Sequence, residues 1–170
     1  MNNDFNKKED LTLFFCDIYG TIDGGLTEEE CIRFSELLEE LRLKHGSDYL
    51  FFGMASTEHQ DVVDMYESRL SRYFKDRIVL IPKDVESEVL REIKTSYTLH
   101  HINKLLKTFN INEVYFADDS QFNHDMFEVL LGDYKIKLNS IVPKTGENYL
   151  SFINSELENK YLDGLSKSRL

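Results

Sequence analysis

Six apolar clusters alternate with longer amphipathic stretches, and that alternation predicts a parallel sheet covered by helices. Leu11–Asp17 (LTLFFCD) is dense in apolar residues and ends on an acid, as a fully buried central strand would. Thr27 and Glu30 stand at capping-box spacing, and the stretch after them places Cys31, Phe34, Leu38 and Leu41 on one helical face before stopping at Gly46. Tyr49–Ser56 reads as the second strand, His59–Phe74 as the second helix, and Arg77–Ile81 as a short strand closed by Pro82. Helical patterning then runs from Val85 to Phe109. Glu113–Asp118 is a strand entering an acidic turn, Phe122–Leu131 a helix ended by Gly132, and Lys135–Val142 a strand stopped by Pro143. Asn148–Leu162 reads as a surface helix. The expected fold is a three-layer α/β sandwich: a Rossmann-like parallel sheet of about five strands with helices on both faces. The pattern fits one domain over residues 1–170, with a core over 11–142 and a C-terminal helix and tail over 143–170.

Composition agrees with one packed domain. Of 170 residues, 41% are hydrophobic and only 2 are Pro, which excludes global disorder. The 20 Lys and Arg against 31 Asp and Glu give a net charge of −11, with no basic cluster, so binding to nucleic acid or anionic lipid is not expected. The longest uncharged apolar stretch, Tyr49–Ala55, is far short of the roughly 20 residues a bilayer demands. The first ten residues carry Asp4, Lys7, Lys8, Glu9 and Asp10 and hold no signal-peptide core, so the expected location is the cytoplasm. Cys16 and Cys31 have no metal-like spacing and are expected to be reduced thiols, with Cys16 a small buried hydrophobe.

The chemistry gathers at the ends of strands. Asp17, then Ser56 with Thr57, then Asp118 with Asp119 close three predicted strands, and Lys94 lies between the second and third of these. In open α/β sheets ligands collect at the carboxyl ends of strands where strand order reverses. A carboxylate nucleophile, a hydroxyl donor, a cation and an acid pair are the parts of a phosphoryl-transfer site.

In these motifs the chain resembles the haloacid dehalogenase-like (HAD) hydrolase superfamily. The first family motif, Asp-x-Asp-x-Thr or a variant, is matched by Asp17-Ile18-Tyr19-Gly20-Thr21, and the second by Ser56, with Thr57 beside it. The third is a Lys, here Lys94, with Lys83 and Lys104 as alternatives. The fourth is matched by Asp118-Asp119-Ser120, with Asn123 and Asp125 downstream. The resemblance spans about residues 11–142. It implies that Asp17 attacks phosphorus to form an aspartyl-phosphate, and that Mg²⁺ is held by Asp17, the main-chain carbonyl of Tyr19, Asp118 and Asp119. A hard dication suits these oxygen ligands. It further implies that Ser56, with Thr21 and Thr57 nearby, binds the transferring group, that Lys94 neutralises charge, and that Gly24 and Gly25 permit the turn after the nucleophile.

Tyr19 departs from the pattern. Family phosphatases carry an Asp there as acid/base, worth about 10²–10⁴-fold, and a phenol of pKa about 10 is a poor substitute. Asp23, Glu58 and His59 are the stand-ins to consider. The Asp-x-Tyr-Gly-Thr form also occurs in the dehalogenase branch. Those enzymes work without metal beneath a helical cap, whereas only about 34 residues separate the first two motifs here, and Asp118-Asp119 looks like a metal site. The resemblance therefore implies a capless core acting on a large or macromolecular phosphorylated substrate, in preference to a dehalogenase.

Plainer roles stand beside each of these. Asp17, Asp118 and Asp119 can be turn formers or caps, Ser56 and Thr57 can cap the helix at His59, and Lys94 can be a solvated helix-face lysine. His100-His101 point about 100° apart on a helix and are expected to be a solvated pair. Two function classes remain: a Mg²⁺-dependent phosphohydrolase altered at Tyr19, and a catalytically weak or inactive HAD-like domain that binds a partner. Retention of Asp17, Asp118, Asp119 and a Ser/Thr favours the first.

Overall fold

The computed structural model describes residues 7–17, 27–54, 64, 68, 78–81, 98–144 and 149–162; for Asp17, 50–54, 78–81 and Tyr149 it describes the backbone. The strands are β1 (Glu9–Asp17), β2 (Asp48–Met54), β3 (Ile78–Ile81), β4 (Phe109–Asn110), β5 (Glu113–Ala117) and β6 (Lys137–Ile141). Between them lie α1 (Glu28–His45), α2 (98–105) and α3 (Gln121–Leu131), with α4 (Tyr149–Glu156) after β6. The main sheet runs β3-β2-β1-β5-β6 with every pair parallel, and β4 adds a two-residue parallel pairing to Glu9 and Asp10. This is the expected α/β architecture.

β1 holds the centre because its side chains can be buried on both faces. Phe14 and Cys16 enter a core with Phe34, Leu37, Leu38 and Leu41 of α1 and Leu150 and Ile153 of α4. Leu13 and Phe15, one step out of phase, enter a second core with Ile102 of α2 and Phe127 and Leu131 of α3. Period-two alternation in an unbroken apolar run thus makes two cores from one strand. Aromatic rings fix their packing: Phe14 stacks on Tyr115 with centroids 5.7 Å apart, and Phe15 meets Phe127 edge-on at 6.0 Å. Both cysteines are buried, Cys16 as the small hydrophobe expected of it.

α1 follows its sequence signals closely. Thr27 accepts from the main-chain N–H of Glu30, three acids occupy the first turn, and Gly46 ends the helix at φ 63°. Three expectations need correction. Helix α2 ends at residue 105, and Phe109 lies in β4, because pairing with β1 outweighs the helical periodicity that runs on to it. The end of α3 is as expected, at Leu131 with Gly132 next, and a 3₁₀ turn over Gly132–Tyr134 follows, after which Lys135 takes φ 56°. The helix after β6 is no mere surface element. It buries Leu150 and Ile153, passes into a π-helical turn over Leu157–Tyr161, and is tied to α1 by Asn154 donating to the Glu30 carboxylate at 2.8 Å and by an Arg33–Glu158 ion pair. Lastly, His100 is exposed but His101 is half-buried, and burial lowers its pKa.

At the opposite end of the sheet from the predicted motifs, His45 closes α1 against β5. Its Nε2 lies 2.8 Å from the Tyr115 hydroxyl and 3.5 Å from Glu113 Oε2, and Asn139 donates to the same Glu113 oxygen at 2.9 Å. Desolvation lowers the His45 pKa, opposed by Glu113 and assisted by Lys44 and Lys137. Burial pushes Tyr161, whose ring meets Tyr115 at 5.2 Å, up to about 12. A folded-state His pKa below the unfolded value of about 6.5 means that the unfolded chain binds the proton more readily. The His45 contribution to stability is therefore complete above pH 6.5 and is lost as pH falls through the folded pKa. Thermal unfolding from pH 7.5 to 5 should show a smaller acid-side fall in Tm for His45→Gln than for the parent. Parallel curves would show that His45 does not titrate with folding.

Candidate functional site

Strand order reverses at β1. The chain passes outward from β1 through β2 to β3, then returns to lay β5 and β6 on the other side of β1. The carboxyl ends of β1 and β5 therefore flank the switch point where this class of sheet binds ligands. Cys16 pairs with Ala117, so the next positions along the two strands are Asp17 and Asp118. Asp17 itself pairs with Met54 at the end of β2, two residues before Ser56 in the sequence.

Asp118 is fully buried and held at every polar group. Its N–H donates to the Ile141 carbonyl of β6 at 3.2 Å. Its Oδ1 accepts from the Ser120 N–H at 2.7 Å, and its Oδ2 from Asn123 Nδ2 at 3.0 Å. Its carbonyl accepts from His124 Nε2 at 2.7 Å. The carboxylate thus sits at the amino-terminal end of α3, whose first turn contains no acid of its own. That position lets the helix dipole favour its charge. The capping role and the site role of Asp118 coincide, because the bonds that cap the turn also aim the carboxylate.

The donor set suits a hard cation. The side-chain donors on Asp118 are an amide and a main-chain N–H, and among the described residues no Lys or Arg pairs with it. Beside it, Asn123 Oδ1 is buried without a hydrogen-bond partner among the described residues, an oxygen acceptor next to an anion. Carboxylate and amide oxygens without a countercharge match the preference of Mg²⁺ for oxygen ligands. Asp119 is exposed on the turn that follows. Among the described residues no three His, Cys, Asp or Glu side chains gather as a metal cluster.

Tyr19, Thr21, Ser56, Thr57 and Lys94 lie outside the described residues, as do Asp23, Gly24, Gly25, Glu58, His59 and Lys83. Lys104 does not fit the third-motif role. It is exposed near the end of α2, where Lys8 donates to the Leu106 carbonyl and the chain enters β4 beside the start of β1, away from Asp17. Asp125 is exposed and accepts from Gln121 at 3.0 Å on the surface of α3. The residue that sequence reasoning missed is His124. Its signal was an imidazole directly after the amide Asn123, one turn past the acidic pair.

The fold is HAD-like. Over 96% of this chain and all of theirs, it superimposes on the HAD domain of effector protein Lem4 from Legionella pneumophila in an inactive-mutant form, with a TM-score of 0.56 and 13% identity. A second structure of the Lem4 HAD domain matches over 89% of this chain and 95% of that one, with a TM-score of 0.53 and 13% identity. By sequence the chain matches no protein-family model and no curated protein.

Asn123→Ala tests the grip on Asp118. Removing the amide leaves a buried carboxylate oxygen short of its side-chain donor, which should cost about 1–3 kcal/mol of unfolding free energy in urea. An unchanged urea midpoint would show that the bond contributes nothing to the folded state.

Proposed function

We propose that this chain is a Mg²⁺-dependent phosphohydrolase that works through an aspartyl-phosphate on Asp17 and acts on a large or exposed phosphorylated substrate. The observation that carries the reading is the register of β1 with β5. It makes Asp17 and the buried, oriented Asp118 successive strand-end positions at the switch point.

In this mechanism an Asp17 carboxylate oxygen attacks phosphorus as the bond to the leaving-group oxygen breaks, and the leaving group departs with the bonding pair. Water then attacks the aspartyl-phosphate, releasing inorganic phosphate and restoring Asp17. Asp17, the Tyr19 carbonyl, Asp118 and Asp119 would hold Mg²⁺, which would supply charge neutralisation for the phosphoryl oxygens. Ser56 donates a hydrogen bond to the transferring group, Thr21 and Thr57 line its approach, and the Lys94 ammonium offsets its negative charge. Tyr19 sets the limit on rate. Its phenol neither protonates an alkoxide leaving group nor activates water efficiently at neutral pH, so aryl phosphates, whose leaving groups need no proton, are the favoured substrates.

Mg²⁺ should raise the melting temperature by mass action. Asp17→Asn should abolish hydrolysis of an aryl phosphate. Tyr19→Asp should raise turnover of alkyl phosphates by up to about 10²–10⁴-fold. A folded Tyr19→Asp variant silent on every phosphate ester, with Asp17→Asn changing nothing, would replace this reading with that of a HAD-like binding domain. The same chain without any Mg²⁺-dependent shift in Tm would remove the metal from it.

A further inference from the structure

We propose that His124 is a positioning residue for Asp118, holding the main-chain carbonyl at the end of β5 so that the carboxylate keeps one direction. The proposal rests on the phosphohydrolase reading of the same site. His124 is 2% exposed, and its Nε2 lies 2.7 Å from the Asp118 carbonyl oxygen, so Nε2 carries the proton and donates. Its Nδ1 is buried with no hydrogen-bond partner among the described residues. The ring is fixed from the side by Phe116, with centroids 4.6 Å apart, and Phe116 packs in turn on Phe127 at 4.9 Å.

The geometry explains why an imidazole stands at this buried position against Phe116. β5 ends at Ala117, and the Asp118 carbonyl has left the sheet ladder while still inside the protein. A buried carbonyl without a donor is costly, and without one the peptide between Asp118 and Asp119 is free to rotate. His124 reaches back from the first turn of α3 to supply that donor, while its neighbour Asn123 holds the carboxylate of the same residue. Two successive helix residues thus grip the main chain and the side chain of Asp118. The side-chain grip sets where the carboxylate lies, and the main-chain grip stops the loop carrying Asp119 from turning away. Outer partners of this kind typically change metal affinity or activity by about 10–100-fold when removed.

The experiment is a Mg²⁺ titration of the full chain followed by thermal shift, with the melting temperature in EDTA as the separate measure of apo stability. His124→Gln places an amide N–H where Nε2 stood and should keep the half-saturating Mg²⁺ concentration within about threefold of the parent. His124→Asn, whose amide reaches only the Nδ1 position, and His124→Leu, which has no donor, should each raise it by about 10–100-fold. If His124→Leu does not fold, the comparison of Gln with Asn still decides. Equal half-saturation for the parent, Asn and Leu variants, even with a lower Tm in EDTA, would make His124 a packing residue only and overturn the proposal. A Gln variant as weak as Asn would overturn it too. A parent with no Mg²⁺ shift at all fails the metal reading, and this inference with it. A parent that responds beside variants that respond equally fails this inference alone.

Discussion

The parallel pairing of β1 with β5 is the constraint on which the carboxyl edge depends. Parallel ladders hold neighbouring strands in one register along their whole length, and here Leu13 to Cys16 pair one for one with Val114 to Ala117. A slip by one residue would exchange the two faces of β1, sending Phe14 and Cys16 toward α2 and α3 and Leu13 and Phe15 toward α1 and α4. Both faces are filled by large side chains of fixed shape, so such a slip is resisted from two sides at once. The same packing that excludes the slip keeps the acids at the strand ends in step.

Beyond the strand, control passes to hydrogen bonds. Asp118 lies one residue past the last ladder position of β5 and is held by β6, by its own turn and by the first turn of α3. A buried carboxylate supported by neutral donors is strongly oriented yet not neutralised, which is how a site can be kept ready for a cation. The net charge of −11 acts in the same direction at longer range, drawing cations to the surface while repelling phosphate esters. A phosphorylated substrate would then gain more from a bound cation than from the protein's overall field.

Local signals in the sequence were read well where the physics is local. The ends of α1 are set by Thr27, Glu30 and Gly46 acting within a turn of themselves, and the structure keeps all three. β1 was legible because an apolar run ending on an acid has few alternatives, and the α/β order of elements followed from the alternation. What the sequence hid depends on distant partners. Phe109 fits a helix by period and becomes strand only because Glu9 lies beside it. Asn148–Leu162 reads as a surface helix, and the burial of Leu150, Ile153 and Leu157 depends on α1 and the sheet. His124 left only a faint signal, its place after Asn123, for a third reason: the acceptor it serves is a main-chain carbonyl, which every residue carries and no motif records.

The central place of β1 also bears on how the chain comes into being. One neighbour, β2, is made soon after β1, but β5 follows nearly 100 residues later. At roughly 5–20 residues per second, one edge of the central strand waits about 5–20 s on the ribosome without its partner. During that interval Leu-Thr-Leu-Phe-Phe-Cys is an unpaired edge with strong strand propensity, open to other nascent chains. The strand that organises the finished molecule is thus its most vulnerable segment during synthesis, and a chaperone that shields it until β5 emerges would act on yield without touching the stability of the folded protein.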